Sequence, residues 1–155
     1  MFDDLTLFQG EVVPPEKLQP LYAGISEDWG RKGLPPVAQQ ALTLLLENAE
    51  GTVVGGFYGA TYWQWLEIVA LWVQPELRGR GYARELVLLG EKEAARRGCR
   101  GAFVDTFSFQ ARGFYEKLDY TVFGVLPNFP AQHERFYLRK IWGLTDEAAP
   151  AEGGF

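Results

Sequence analysis

The chain predicts an α/β domain whose strands are joined by hairpins and, once, by a helical crossover. Three observations carry that prediction. The apolar run Leu71-Trp72-Val73 ends at Gln74-Pro75 and is followed by a basic glycine-bearing turn, a long helical pattern over 81–97 and a second apolar run over 101–107. A helix connecting two strands of one sheet makes them parallel. On either side, apolar runs broken by turn residues read as antiparallel pairs, 41–47 with 52–58 across Asn48-Ala49-Glu50-Gly51, and 120–126 with 135–141 across a proline loop at 128–132.

Taken in order, residues 5–9 (Leu-Thr-Leu-Phe-Gln) alternate as a short first strand. Pro14-Pro15-Glu16 opens a helix, since proline suits a first turn, and Leu18, Leu21, Tyr22 and Ile25 share its apolar face. Residues 26–36 hold Gly30, Gly33 and two prolines, so they read as a broken helix or loop carrying Trp29. The Gly55-Gly56 pair inside the second strand points to a bulge or a close neighbour. Residues 63–73 make a long apolar strand interrupted by Glu67, and a lone carboxylate in such a run has a partner or a purpose. In the 81–97 helix Ala83, Leu86, Val87, Gly90 and Ala94 share a face, Arg96 and Arg97 suit the C-terminal dipole and Gly98 supplies the cap. A short helix over 110–118 precedes the last two strands. The acidic, glycine- and proline-bearing tail, 144–155, reads as disordered. Residues 1–143 therefore read as one domain.

Composition narrows the function. The chain has 155 residues, 47% hydrophobic and 15% aromatic, enough for a packed core with rings left over to line a pocket. A net charge of −5 argues against nucleic acid as a partner. Between Gln74 and Arg100, however, seven Arg/Lys face four Glu, a local +3 that suits a polyanionic ligand. One cysteine, Cys99, permits no internal disulfide and reads as a buried thiol in a reducing compartment. One histidine, His133, excludes a His-cluster metal site. No apolar run approaches the length of a membrane span, so a cytoplasmic protein is expected, with no membrane partner.

The turn after Val73 is the most informative stretch. A strand, a glycine turn and a helix aim free backbone N–H groups at whatever lies beyond the strand end, which favours phosphate. The Walker pattern fails because no Lys-Ser/Thr pair is present, and the dinucleotide pattern fails because Arg84 stands at its third glycine. The pattern that fits is R-x-x-G-x-A, as Arg78-Gly79-Arg80-Gly81-Tyr82-Ala83. It resembles the acyl-CoA pyrophosphate loop of the GNAT superfamily of N-acyltransferases. A second stretch, Ser108-Phe109-Gln110-Ala111-Arg112-Gly113-Phe114-Tyr115-Glu116-Lys117-Leu118-Asp119-Tyr120, is similar to the family's N-x-x-A-x-x-F-Y-x-x-x-G-F segment. Ser108 replaces the usual Asn and keeps a hydrogen-bonding side chain. Asp119 replaces a Gly, which puts the tight turn in question.

The resemblance runs from about Glu67 to Leu138 and fades before Ala41. It implies a mixed, mostly antiparallel sheet of six to seven strands flanked by helices, with one parallel pair splayed apart. It also implies acetyl-CoA as co-substrate, no metal, and a small-molecule amine as acceptor; dimers are frequent in the family. Carried onto this chain, Arg78, Gly79, Arg80, Gly81, Tyr82 and Ala83 would hold the pyrophosphate. The strand edge Leu71, Trp72 and Val73 would hold the pantetheine amides, with Ser108 and Ala111 beside them. Glu67 matches the position of a general base and Tyr115 that of a general acid, and both roles fit amine acylation, which needs a proton taken from nitrogen and one given to the leaving thiolate. The plainer alternatives are a strand carboxylate paired with an arginine for Glu67 and a core tyrosine with a satisfied hydroxyl for Tyr115. Trp29, Trp63 and His133 are candidate substrate contacts. A module that binds acyl-CoA without turning it over is the competing function, and a nucleotide-phosphate binder the third.

Overall fold

A computed structural model describes residues 7–142. They fall into two compact units, Met1–Val37 and Ala38–Phe155. In the first, helix α1 spans Pro15–Arg31 with Pro14 at its N-cap. The break expected after Ser26 is absent. Arg31 pairs with Glu27 at 2.6 Å and Asp28 at 3.3 Å across the last turn, and the helix ends only where Gly33 turns left-handed at φ 76°. Trp29 therefore sits on a helix, not a loop. The first strand, expected over 5–9, is likewise not seen in its described part: residues 7–9 have no ladder partner and stay irregular. The tail 144–155 lies outside the described residues.

The second unit is a six-stranded sheet in the order β1-β2-β3-β4-β6-β5. Its strands are β1 (Gln40–Glu47), β2 (Val53–Tyr62), β3 (Trp65–Val73), β4 (Gly101–Phe107), β5 (Thr121–Pro127) and β6 (Glu134–Ile141). The β1–β2 hairpin closes as expected, with Asn48 Oδ1 accepting from the N–H groups of Glu50 and Thr52. Strand β3 begins two residues later than expected, because Trp63 and Gln64 form its turn at φ 46° and 63°. That primed turn matches the twist of the two strands, and Arg100 holds it, donating its Nε to Gln64 Oε1 at 2.6 Å and its N–H to the Gln64 carbonyl.

Helix α2 (Tyr82–Arg96) crosses from β3 to β4, and those two strands are parallel. It buries Leu86, Val87, Gly90 and Ala94 on the sheet face that carries Leu66, Ile68, Ala102 and Val104. Gly90 is required by packing: a Cβ there would lie 2.8 Å from the Phe57 ring. Helix α3 (Arg112–Glu116) adds Tyr115 to the same core. It is shorter than expected because Gln110 is used in the preceding turn, accepting the Phe107 N–H at 3.2 Å. The turn after α3 forms without a glycine, Asp119 taking φ 68°, a conformation that Asp tolerates better than most residues. Cys99 is buried, and burial raises its thiol pKa. No helix of the described residues is long and apolar enough to cross a membrane.

The sheet's main irregularity lies on β3. Tyr58 pairs with Ala70 and Gly59 with Ile68, which leaves Val69 as an extra residue, a bulge. The bulge suggested at Gly55-Gly56 is thus displaced. Gly56 is instead a close-neighbour position, where a Cβ would lie 3.0 Å from the Leu44 carbonyl oxygen, and at Gly59 a Cβ would lie 2.4 Å from the Glu67 carbonyl oxygen. Parallel pairing of β3 with β4 runs from Trp65↔Gly101 to Ile68↔Val104 and stops at the bulge. Beyond it, β3 keeps β2 as a neighbour and β4 keeps β6, but the two strands part.

Candidate active site

The parted strands frame a cleft of about 680 Å³. Ile68, Leu71, Trp72 and Val73 line it from β3, Asp105 and Thr106 from β4, and Ala111 and Tyr115 from α3 and its N-cap. Arg78 and Ala83 close the end at the start of α2. The turn between them needs its glycines, with Gly79 at φ 75° and Gly81, the α2 N-cap, at φ 88°. A Cβ at either would touch nothing, so backbone conformation rather than space calls for glycine. No side chain caps the first turn of α2, and its free N–H groups keep the partial positive charge of a helix N-terminus. Arg80, Gly79, Gly81 and Tyr82 lie in this exposed turn, outside the cleft wall. Arg78 spends one donor internally: its Nε bonds the Val73 carbonyl at 3.0 Å. That bond ties loop to strand and occupies one lone pair of the Val73 oxygen.

Tyr115 is 5% exposed. Its ring meets Phe114 edge-on at 5.1 Å and Tyr120 at 5.6 Å. Tyr120 is itself fixed, donating to Glu91 at 2.9 Å, and Lys140 holds the other Glu91 oxygen at 2.7 Å. Among the described residues the Tyr115 hydroxyl makes no hydrogen bond, yet no buried side-chain oxygen there lacks a partner. The hydroxyl is therefore the part of the ring that opens into the cleft. Burial, and then the charge of Asp105, push its pKa up to about 12, so the phenol is protonated at neutral pH.

Glu67 is not part of the cleft wall. It alternates with the buried Leu66 and Ile68 and so points to the sheet face away from α2. Its partner is the Tyr62 hydroxyl at 3.0 Å, not an arginine, and burial with that carboxylate raises the Tyr62 pKa to about 12. Trp63 stands beside Tyr62, ring centres 6.5 Å apart. Asp105, Phe107 and Arg135 belong to the same face, with Arg135 Nε 2.7 Å from Asp105 Oδ2. His133 and Ser108 meet at the far end, Nδ1 to Oγ 3.0 Å, and Ser108 also bonds the Glu134 backbone. Both lie outside the cleft wall, while Trp29 belongs to the other unit.

Sequence reasoning overlooked Asp105. The signal is the one that singles out Glu67, a lone carboxylate within an apolar strand.

The match to known proteins follows this geometry. The model of the acetyltransferase (GNAT) family matches residues 7–120, and the chain belongs to that family. A blasticidin-S acetyltransferase of Streptomyces morookaense is 38% identical over 81 residues, 52% of this chain and 60% of that protein. The chain thus spans less than two thirds of that relative's length. The crystal structure of an acetyltransferase from Bacillus cereus superposes with a TM-score of 0.77 at 28% identity, over 86% of this chain and 97% of the other. An aminoglycoside 6'-N-acetyltransferase solved with coenzyme A shares the fold, with a TM-score of 0.58 at 20% identity, over 80% of this chain and 86% of that one.

Proposed function

We propose that this chain is an acetyl-CoA-dependent N-acetyltransferase that acetylates a primary amine of a small molecule by direct attack in a ternary complex. The observation that carries the reading is the Tyr115 hydroxyl, protonated, without a hydrogen-bond partner among the described residues, and lining the cleft between the parted strands. A core tyrosine would have its oxygen bonded; this one is available to donate.

The residues present suit acetyl-CoA, which supplies the acetyl group as a thioester. The uncapped α2 N-terminus, the N–H groups from Gly79 to Ala83 and the free Nη groups of Arg78, with Arg80, hold the pyrophosphate. The one-sided edge of β3 from Val69 to Val73 offers backbone groups to the pantetheine amides, and Ala111 leaves room beside them. On the other face, Glu67 takes a proton from the incoming ammonium, directly or through water, with Tyr62 holding its carboxylate in place. Tyr115 donates its proton to the departing sulfur. One N–C bond forms and one S–C bond breaks. Nitrogen loses two protons, the first to Glu67 before attack and the second after it. While the Tyr115 proton reaches sulfur, the second nitrogen proton restores the phenol.

Free thiol released from acetyl-CoA across a panel of primary amines tests the reading. Release that requires an amine supports it. Saturable acetyl-CoA binding with no thiol released for any amine leaves a binding module instead. Glu67→Gln tests the base: the ascending limb of the pH–rate profile should flatten, and an unaltered shape removes Glu67 from the chemistry.

A further inference from the structure

We propose that the acceptor amine carries a flat unsaturated ring, read by a shelf of phenylalanines that starts where the cleft opens, with Asp105 as the counter-charge of its ammonium group. The inference rests on the acetyltransferase reading for the meaning of the cleft, but its geometry stands separately.

Phe107, at the end of β4, stacks on Phe109 with ring centres 5.2 Å apart and planes within 8°, and on Phe129 at 6.2 Å and 23°. The stack belongs to no core: Phe109 is 55% exposed and Phe129 45%. His133 closes one side, its ring edge-on to Phe109 at 4.8 Å. Near-parallel, half-exposed rings select another flat ring over an aliphatic body of similar size, because offset stacking adds to area burial. Phe109 and Asp105 also line the cleft into which the Tyr115 hydroxyl opens, so shelf and reacting end are continuous.

Charge on this face narrows the class further. Arg135 engages Asp105 through Oδ2 only, and among the described residues Oδ1 carries no hydrogen bond, leaving one carboxylate oxygen for an ammonium. Arg135 is held at Asp105 Oδ2, and its guanidinium lies 5.6 Å from both Phe107 and Phe129. A second cation on the substrate's ring would meet that guanidinium. The acceptor is accordingly a monocation with its charge on the amine and an uncharged ring behind it, not a polyamine.

The test is a calorimetric titration of the protein, with coenzyme A present, by 2-phenylethylamine and by 2-cyclohexylethylamine, which differ in flatness more than in size. The planar amine should bind about three- to tenfold tighter, the increment expected of one aromatic pair. Phe129→Leu keeps apolar bulk on an exposed position and should erase much of the preference, as should Phe109→Ala, with melting temperature confirming that both fold. Asp105→Asn should weaken both amines about tenfold and leave their ratio unchanged. Equal affinities for the two amines, or no saturable binding of either, overturns the proposal. So does a loss of self-association on Phe109→Ala with no ring preference, which would make the shelf a contact between copies. Ring preference without thiol release upholds the shelf and defeats the acetyltransferase reading. Thiol release from aliphatic amines as readily as from aromatic ones does the reverse.

Discussion

The two halves of β3 are both largely apolar and behave differently. From Trp65 to Ile68 β3 is zipped to β4, with Leu66 and Ala102 fully buried between sheet and helix. From Val69 onward β3 is equally apolar, yet it leaves its neighbour, and Val69 and Trp72 are 57% and 49% exposed. Hydrophobicity does not distinguish the halves; one inserted residue does. The Val69 bulge adds local twist to β3 at the point where the ladder ends. The parted half keeps the pairing its outer neighbours provide, so the opening forfeits only the ladder between β3 and β4. Of the groups proposed for chemistry, Tyr115, Asp105 and the edge of β3 sit on the parted half or at its mouth, while Glu67 sits on the zipped half.

Removing the bulge should abolish that contrast. Deleting Val69 restores regular pairing of β3 with β2 and lets β3 zip further along β4. The expected result is a folded protein with coenzyme A binding lost from calorimetry; retained affinity would show that the split has another cause. Next in size is Tyr115→Phe. It keeps the ring and its contacts with Phe114 and Tyr120 but removes the hydroxyl, so turnover should fall roughly 10²-fold, at the low end for acid catalysis, with acetyl-CoA affinity nearly unchanged. Turnover within about threefold of wild type would return Tyr115 to a packing role.

Arg78→Ala sharpens the comparison from the far end of the cleft. It removes a charged partner for phosphate and also the Nε bond to the Val73 carbonyl. Coenzyme A should weaken about tenfold or more, given about 1.5–3 kcal/mol for a charge-assisted hydrogen bond. Arg78→Lys should recover part of that affinity; full recovery would mean that charge alone matters and the tie to β3 does not. A smaller effect concerns the zipped half. Gly90→Ala places a methyl 2.8 Å from the Phe57 ring, and overpacking of this kind costs about 1–3 kcal/mol, readable as a lowered melting temperature.

The smallest effect is alkaline. Tyr62 and Tyr115 both titrate at about 12 in the folded chain, against about 10 when unfolded. Between those values the folded state holds more protons, so stability falls as pH rises. The contribution is complete below about pH 10 and lost through about pH 12. Tyr115→Phe and Tyr62→Phe should each flatten the fall of melting temperature over that window, and an unchanged slope would show the shifts to be absent.

Local signals in the chain were enough for the crossover helix, the hairpins at 48–51 and 128–132, the glycine turn at 78–83 and the segment holding Tyr115. Each is set by residues close together in sequence: glycines that must be left-handed at 79 and 81, an Asn that closes its own turn, apolar residues at helical spacing. Tertiary structure alone decided where β3 leaves β4, which face Glu67 takes, that its partner is Tyr62, and that Asp105 stands at the cleft with Arg135. Those facts depend on register. One extra residue in β3, Val69, falls where the parallel ladder ends, and that ladder joins residues far apart in the chain, Trp65 with Gly101 and Ile68 with Val104.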